Sequence, residues 1–396
     1  MQNFSAREIL QNEIIEDYGY DPTKLSVIQW SSISCFHIEE PVRYPARGKS
    51  YDDLMDNNVA LIKAVQSDLF FDLSFYGSSK QFWDASVIPW NGRLLLVCNQ
   101  YVRGPLIFTW LNLTNYHSFF DNKPYLGIGT APTMLNQPTV GEDPRILVVN
   151  QSLLYVVYSF GNPMRMRIMS IGLENQRISV LKTSLNIELE TSVNSNIENA
   201  AIQKNWAPFL HNESLFFIQR LNPFTVVSID SNFENGTSPI AKVISMSNIL
   251  RLSWKYGTLR GGTNAVQISP DEYLGFFHTT SNIPRRTAAR WFVTYFMGAY
   301  TFSTSPPFEL RRISPVPIIK DSFYRGAWFG KNMDYCVFPS SLYVDHGFAV
   351  ISLSLQNTDS YMAKFLLSEL LNSLENVDPE KQYEAAACRH AEPNGF

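Results

Sequence analysis

The stretch GEDPRILVVNQSLLYVVYSF, residues 141–160, places two apolar runs on either side of the polar pair Asn150-Gln151. Two apolar runs of strand length around a short polar turn are typical of a β-hairpin. The same order of a polar residue, a short apolar run, a turn and a longer apolar run recurs along the chain. The other copies are DASVIPWNGRLLLVCNQ from Asp84, KNWAPFLHNESLFFIQRL from Lys204, GGTNAVQISPDEYLGFFHTT from Gly261 and YCVFPSSLYVDHGFAVISLSLQ from Tyr335.

The repeated hairpin decides the fold class. The copies recur every ~60 to 75 residues, which is enough chain for a four-stranded blade with its loops. We therefore predict an all-β protein, a five-bladed β-propeller with an N-terminal lead-in segment and a short C-terminal helix or strand. The alternative is a β-sandwich, whose strands would follow one another every ~8 to 12 residues without the longer period. Because inner strands of a propeller converge on a central channel, we expect the residues that open each unit to face one funnel.

The domain boundaries follow from the extent of the repeat. We predict a lead-in segment at residues 1–80, a propeller catalytic domain at 81–377 and a disordered tail at 378–396. The lead-in contains a stretch with roughly helical apolar spacing at residues 50–70. The closing strand or helix is expected between Tyr361 and Val377.

The composition argues against several partners and cofactors. Apolar residues make up 45% of the 396 residues, so the chain is expected to be globular. The net charge of -4 comes without a basic block, which argues against nucleic acid, and no apolar run approaches the ~18 residues of a membrane span. The four cysteines and six histidines lack metal-type spacing, so we expect no disulfide framework, metal or other cofactor. A cytoplasmic location is expected because no secretion signal is seen, with sequons at Asn3, Asn112, Asn150, Asn212 and Asn235 leaving the secretory pathway open.

The residues that open the quoted hairpin suit acid–base chemistry. Pro144 biases Asp143 toward an extended conformation, and strand alternation then sends Asp143 and Arg145 to the same side. A carboxylate beside a guanidinium and an apolar wall can act as a general acid or base. A structural Asp–Arg pair that closes a blade fits the same residues. Glu142 is expected to face solvent or the rim of the channel.

The third unit opens with residues that suit a sugar. Lys204, Asn205 and Trp206 combine a cation, an amide and an aromatic ring. Rings stack on pyranose faces and amides bind hydroxyl groups, so the triplet predicts a sugar contact. A core Trp beside a solvated Lys is the structural alternative.

The fourth and fifth units add residues of less specific character. Arg260 precedes two glycines, which would let the backbone approach an anion closely or make a tight turn between blades. His278 is either a hydrogen-bonding group of the channel or a satisfied core histidine. Asp359 either contacts a ligand or caps a turn. Because all these residues fall at the edges of repeated hairpins, one funnel can gather an acid, several cations and aromatic walls.

The motifs resemble those of glycoside hydrolase family 130, the five-bladed β-mannoside phosphorylases, and of the related β-1,2-mannosyltransferases. The matching stretches are GEDPRI from Gly141, KNWAPF from Lys204, LRGGTNAV from Leu259 with YLGFFH from Tyr273, and VFPSS from Val337 followed by Asp359. The resemblance implies phosphorolysis with inversion, or transfer of a mannosyl group from a sugar phosphate or nucleotide sugar. It implies a β-mannoside or related oligosaccharide, and inorganic phosphate or a sugar phosphate, as binding partners.

The resemblance also implies a role for each site residue. Asp143 matches the proton donor, which would act through a sugar hydroxyl while phosphate attacks the anomeric carbon. Phosphate would then replace the second carboxylate of an ordinary glycosidase. The implied substrate-binding residues are Asp84, Arg145, Asn205, Trp206 and Asp359. The implied phosphate-binding residues are Lys204, Arg260 and His278, with Arg165 or Arg167 as further cations.

Some positions depart from the family pattern. Asp84-Ala85-Ser86 stands where the family has Asn-Pro, and Cys98-Asn99 stands where it has an Arg. Ser341 replaces the glycine of a Phe-Pro-x-Gly turn, and Ser354-Leu355 replaces a Tyr-Gly pair. The changes surround the expected sugar rather than Asp143, so a changed substrate and a lost activity are both open. The other readings are a non-catalytic propeller that binds glycan or protein, and a β-mannoside hydrolase in which water replaces phosphate.

Overall fold

The computed structural model describes residues 83–99, 106–113, 126–128, 133–134, 140–174, 177–190, 203–229, 237–247, 254, 257–284, 291–315, 317–318, 336–355 and 359–377. Within these ranges the strands form five separate sheets, and each sheet is built almost entirely from consecutive strands. The protein is a five-bladed β-propeller, as the repeat predicts. The helix-like stretch of the lead-in and the C-terminal tail lie outside the described residues.

The first two blades are meanders that begin with their innermost strand. Blade 1 contains β1 (Trp83–Trp90), β2 (Arg93–Asn99), β3 (Leu106–Leu113), β4 (Leu126–Ile128) and β5 (Thr133–Met134). Its order is β1-β2-β3-β4, and β5 also pairs with β3. Blade 2 contains β6 (Glu142–Val148), β7 (Leu153–Phe160), β8 (Arg165–Glu174) and β9 (Arg177–Asn186), in the order β6-β7-β8-β9.

The third and fourth blades repeat this plan with additions at the edge. Blade 3 contains β10 (Glu188–Leu189), β11 (Ala207–His211), β12 (Ser214–Leu221), β13 (Phe224–Ile229) and β14 (Ile240–Met246), with β11 innermost and β10 parallel to β14. Blade 4 contains β15 (Thr258–Gly261), β16 (Val266–Ser269), β17 (Glu272–Pro284), β18 (Trp291–Ser303) and β19 (Leu310–Ile313). Both β15 and β16 pair with β17, so two short segments share the innermost position.

The fifth blade and the C-terminal segment complete the described chain. Blade 5 contains β20 (Val337–Asp345), β21 (Phe348–Leu355) and β22 (Asp359–Leu366). A short helix, α1 (Leu367–Asn372), follows, and β23 (Glu375–Asn376) then pairs with β19 of blade 4. The segment predicted to close the chain as a strand or a helix therefore contains both. Among the described residues, no helix is long and apolar enough to cross a membrane.

Each repeated sequence unit forms the expected hairpin. The observed pairs are β1–β2, β6–β7, β11–β12, β16–β17 and β20–β21. The innermost strands of blades 2 and 5 are buried on both faces over most of their length, as the six consecutive buried residues of β6 illustrate. A strand buried on both faces needs a continuous apolar run rather than alternation. This requirement explains the run ILVV after Arg145 in blade 2.

Aromatic side chains join neighbouring blades. Phe209 of blade 3 meets Tyr273 and Phe302 of blade 4, with ring centroids 5.2 Å apart in both pairs. All three side chains are buried. Burying a large apolar side chain stabilises a fold by about 2 kcal/mol, and an aromatic pair adds about 1 kcal/mol. Apolar packing between blades therefore holds the ring together.

A polar seam joins blade 5 to blade 1 and closes the ring. The Ser341 hydroxyl donates to the carbonyl of Val87 and accepts from its N–H, both at 2.8 Å. The Ser86 hydroxyl lies between the carbonyls of Ser340, at 3.1 Å, and Pro144. The serines that depart from the family pattern at Ser86 and Ser341 thus bond backbone groups across this seam.

Candidate active site

One backbone feature repeats where the innermost strands of blades 1, 2 and 3 begin. Asp84, Asp143 and Asn205 have positive φ angles of 52°, 53° and 65°. The strand register also shifts between Trp83 and Ser86, and between Glu142 and Arg145. A left-handed conformation costs about 1 kcal/mol for most residues, and Asp and Asn tolerate it best. The kink turns one short polar side chain per blade toward the same end of the inner strands.

The Asp143 carboxylate forms an ion pair with a lysine from the next blade. Its Oδ2 lies 2.9 Å from Lys204 Nζ, and Glu142 Oε2 lies 3.0 Å from the same nitrogen. Burial alone would lower the pKa of Lys204, but the charges of Asp143 and Glu142 outweigh it and raise this pKa. Lys204 is therefore a fixed positive charge. Glu142 is buried beside this lysine, so its expected position at the solvent or rim is wrong.

A second carboxyl group contacts the first. The Asp84 and Asp143 side chains are hydrogen-bonded to each other. Burial and the negative charge of Asp143 raise the pKa of the Asp84 carboxyl well above its usual value. Burial also acts to raise the pKa of Asp143, but Lys204 and Arg145 outweigh it and lower that pKa. When the pair holds one proton, the proton therefore resides on Asp84.

The surroundings of Asp84 contain two of the departures from the family pattern. Ser354 of blade 5 accepts a hydrogen bond of 3.0 Å from the Asp84 N–H. Cys98 belongs to the Cys98-Asn99 pair, and burial together with the charge of Asp84 raises the pKa of its thiol, which is therefore neutral.

Arg145 lies at the centre of the propeller and is fully buried. Its guanidinium donates to the carbonyl of Asp143 at 2.8 Å, to Asn205 Oδ1 at 3.2 Å and to the carbonyl of Gly262. Its charge also lies 5.7 Å from the ring centre of Phe338. These partners come from blades 2, 3, 4 and 5, so the arginine fixes their relative positions.

The predicted substrate contact by Arg145 does not fit this geometry. The side chain has no exposed surface, and its three donor atoms are bonded within the protein. Burial lowers the pKa of Arg145, while the carboxylates of Asp143 and Asp84 oppose this shift. Arg145 is therefore a positioning residue for Asp143 and Asn205. Asn205 is itself buried, and its amide oxygen is occupied by this contact.

His278 borders the site from blade 4. It is buried, and its ring lies 4.6 Å from that of Phe338. Burial and the charges of Arg145 and Arg260 lower the pKa of His278 to about 3. The imidazole is therefore neutral near pH 7. The sequence predicted that His278 helps to bind phosphate. This prediction is corrected, because the neutral imidazole carries no charge to attract an anion.

Arg260 is the predicted phosphate ligand that remains exposed. It pairs with His278 across β15 and β17, and its Nε lies 3.4 Å from Thr280 Oγ1. The two glycines after Arg260 allow neighbouring backbone segments to approach closely. A Cβ on Gly261 would lie 1.8 Å from the carbonyl oxygen of Asn205, and one on Gly262 would lie 2.4 Å from that of Phe276.

The remaining predicted residues are placed elsewhere or outside the described side chains. Trp206 is 2% exposed and packs edge-on against Phe217, with ring centroids 5.8 Å apart. It belongs to the core between blades 2 and 3, so the expected sugar-stacking wall is corrected to a core position. Asp359 begins β22 opposite Leu355, but its side chain is outside the described part, so its role stays a prediction.

The two further arginines suggested for phosphate lie on β8. Arg167 Nε donates to Asn186 Oδ1 at 2.8 Å, and its charge lies 4.6 Å from the ring centre of Phe160. Arg165 follows a turn that ends at Met164. The Met164 carbonyl accepts a hydrogen bond of 3.0 Å from the N–H of Gln203, the residue before Lys204, so this turn lies near the site.

A separate cavity of about 640 Å³ lies at the opposite end of the inner strands. Its walls include the hairpin turns of blades 2, 3 and 4, with His211, Asn212, Glu213 and Tyr273 among the lining residues. Among the described residues, Glu213 is its one lining carboxylate, and no lysine or arginine lines it. The paired carboxyls and their lysine are therefore the stronger candidate for acid–base chemistry.

Sequence reasoning missed the contact between Asp84 and Asp143. It assigned Asp84 to substrate binding and treated its difference from the family pattern as a changed sugar contact. The signal that could have revealed it is the repeat itself, which places Asp84, Asp143 and Asn205 at the same position of three units. Equivalent positions of neighbouring blades lie side by side around a propeller axis.

No protein-family profile and no curated protein sequence matches this chain. Solved structures do match it in fold. A protein from Parabacteroides distasonis named as a glycoside hydrolase has 12% identity and a TM-score of 0.51, covering 72% of this chain and 87% of its own. This similarity shows a shared fold, in agreement with the five-bladed architecture that the motifs predicted.

Two further solved structures match this chain with lower TM-scores. One belongs to the GH130 family of mannoside phosphorylases, which contains hydrolases that target β-1,2-mannosidic linkages in Candida mannan. It has 13% identity and a TM-score of 0.48, covering 72% of this chain and 84% of its own. The other is β-1,2-mannobiose phosphorylase from Listeria innocua, with 12% identity and a TM-score of 0.45, covering 74% and 92%.

Proposed function

We propose that this protein is a carbohydrate-active enzyme that cleaves or forms the glycosidic bond of β-mannosides. The observation that carries the proposal is the carboxyl pair of Asp84 and Asp143 where the inner strands begin, in which Asp143 lies 2.9 Å from Lys204. Breaking a glycosidic bond requires a proton for the departing oxygen, and a carboxyl with a raised pKa can supply it. The motif resemblance to the β-mannoside phosphorylases supports the choice of sugar.

The spacing of the carboxyls supports an external nucleophile. Glycosidases that use two separate carboxylates hold them about 5 to 9.5 Å apart, on either side of the scissile bond. Asp84 and Asp143 are in hydrogen-bond contact, so they cannot flank a sugar in this way. The pair acts as one proton-transfer unit, and a second reactant attacks the anomeric carbon.

Phosphate is the proposed nucleophile, with mannosyl transfer from a sugar phosphate as the reverse reaction. Arg260 is exposed, and Lys204 retains 31% exposure of its side chain, so both can meet an anion. A bidentate guanidinium contact and an ammonium charge are the usual protein ligands of phosphate.

Hydrolysis is the second candidate, and one observation favours it. Lys204 already contacts two carboxylates, Arg145 is buried with its donors engaged, and His278 is neutral. The described residues therefore offer an anion less free positive charge than the sequence suggested. Water needs no such charge and could take the place of phosphate.

One assay tests the proposal and separates the two nucleophiles. The purified protein is incubated with β-1,2-mannobiose, with and without inorganic phosphate, and both mannose and mannose 1-phosphate are quantified. Mannose 1-phosphate formed only with phosphate supports phosphorolysis, whereas mannose release without phosphate identifies a hydrolase. No product from this or other β-mannosides, and none from mannose 1-phosphate or nucleotide sugars with mannose, would contradict the proposal.

A further inference from the structure

We propose that Asp84, rather than Asp143, is the general acid of this site. The inference rests on the proposed function and names the group that delivers the proton. Asp84 is a carboxyl at a position where the family pattern has an amide, so the site holds a second acid that the resemblance does not provide.

The contacts of the two carboxyls divide their roles. Asp143 is 5% exposed and its Oδ2 is held by Lys204 at 2.9 Å. Arg145 donates to the carbonyl of the same residue and adds a second positive charge nearby. A carboxylate between two cations is stabilised in its ionised form. Asp143 is therefore suited to accept a hydrogen bond and poorly suited to donate a proton.

The surroundings of Asp84 differ. Its side chain meets the Asp143 carboxylate, and its N–H donates to the Ser354 hydroxyl. Lys204 also acts on Asp84 and lowers its pKa, but burial and the charge of Asp143 outweigh this lysine. The nearby negative charge and partial burial disfavour ionisation of Asp84. Asp84 keeps some exposed surface, whereas Asp143 is enclosed. Asp84 thus combines a retained proton with partial exposure to solvent.

In the proposed reaction Asp84 donates one proton and later regains one. The O–H bond of Asp84 breaks as its proton moves to the glycosidic oxygen, which leaves with the electron pair of the broken C–O bond. The attacking phosphate or water forms the new bond to the anomeric carbon and releases one proton to solvent. Asp84 then takes up one proton from solvent, because two adjacent carboxylates cannot both stay ionised at low cost.

Leaving-group dependence tests the assignment. The Asp84→Asn variant keeps the shape of the side chain and should lose about 10²- to 10⁴-fold in kcat/KM on β-1,2-mannobiose, the usual contribution of a general acid. On 2,4-dinitrophenyl β-mannoside it should stay within about tenfold of the wild type, because this phenolate leaves without protonation. Asp271→Asn, at an exposed hairpin turn, is the matched control, and thermal melting verifies that each variant is folded.

The pH profile of Asp143→Asn separates the two carboxyls. If Asp84 is the acid, the basic limb of kcat/KM persists but moves to lower pH, since the charge that retains the Asp84 proton is gone. If instead Asp143→Asn shows the leaving-group rescue and Asp84→Asn retains full activity on mannobiose, the inference is overturned while the proposed function stands. Absence of turnover by the wild type on any donor would remove the proposed function itself, and this inference with it.

Discussion

Arg145 shows how one residue can hold the centre of the propeller. Its guanidinium binds groups from blades 2, 3 and 4 and faces the Phe338 ring of blade 5. The sequence predicted its position beside Asp143 but gave no sign that it would be fully buried. A buried arginine is stable only when its donors are satisfied, and here backbone carbonyls and one amide satisfy them.

We expect Arg145→Met to lower the free energy of unfolding by about 3 to 5 kcal/mol, the range measured when one partner of a buried ion pair is removed. The substitution leaves the Gly262 carbonyl and Asn205 Oδ1 without their donor. Urea denaturation measures the change. Arg167→Met, on β8, is the control and should cost less than 1 kcal/mol. Equal losses in the two variants would show that Arg145 is not the centre of this network.

The buried imidazole of His278 makes the free energy of unfolding depend on pH. Its pKa is about 3 in the folded protein, whereas histidine in an unfolded chain titrates near ~6.5. Between these values the unfolded state binds the extra proton. The contribution of His278 to stability is therefore complete above about pH 6.5 and is lost as the pH falls toward 3.

The His278→Gln variant should flatten this dependence. The limiting slope for one group is about 1.4 kcal/mol per pH unit, so the wild type should lose stability faster than the variant between pH 6 and pH 4. Urea midpoints collected across this range provide the comparison, with His346→Gln on an exposed turn as the control. Parallel curves for wild type and His278→Gln would mean that the buried imidazole is not the group responsible.

Residue types at the site were predictable to different degrees. The places of Asp143 and Lys204 at the starts of adjacent units predicted a shared funnel, but not their direct ion pair. The burial of Trp206 and the neutral state of His278 were not predictable, because each depends on which side chains of another blade pack against it. Short motifs specify which residues approach the axis but not which of them face solvent.

At the scale of the element, the inner strands are held by side chains that bond neighbouring backbones. Asn264, just before β16, donates through its Nδ2 to the carbonyl of Leu342 and accepts from the Leu342 N–H, both at 2.9 Å. The two bonds join blades 4 and 5. Asn264 is fully buried, so water cannot replace them when the amide is removed.

We expect Asn264→Ala to destabilise the protein by about 2 to 4 kcal/mol, because two buried backbone groups each lose a partner at about 1 to 3 kcal/mol. Chemical denaturation gives the value. Asn186→Ala is the matched control, since Asn186 is exposed and bonded only to Arg167 in the contacts described, and its loss should be below 1 kcal/mol. If Asn264→Ala lowered the free energy of unfolding no more than the control does, the two hydrogen bonds between Asn264 and Leu342 would not stabilise the interface of blades 4 and 5.

The hairpins were the most predictable elements. Apolar runs of strand length around Asn91-Gly92 and Asn150-Gln151 specify them locally, through turn chemistry and periodicity. The division of the innermost position of blade 4 between β15 and β16 was not predictable, since the Gly261-Gly262 stretch reads equally well as a turn. Its shape depends on the close approach of the Asn205 backbone.

At the scale of the whole molecule, the ring of blades brings together residues far apart in sequence. Asp84, Asp143 and Lys204 meet because each lies where the inner strand of its blade begins. The period of the repeat predicted this convergence, and the number of hairpins predicted the number of blades. The distances within the site could not be predicted, because they depend on the kinks at positive φ and on the buried contacts of Arg145.

The most direct test of the account is the turnover of β-1,2-mannobiose by the wild type beside the double variant Asp84→Asn/Asp143→Asn, with phosphate present. We predict mannose release by the wild type and by the Asp271→Asn control, and a loss of at least about 10²-fold in the folded double variant. Undiminished turnover by the double variant would contradict the claim that this carboxyl pair is the reaction centre.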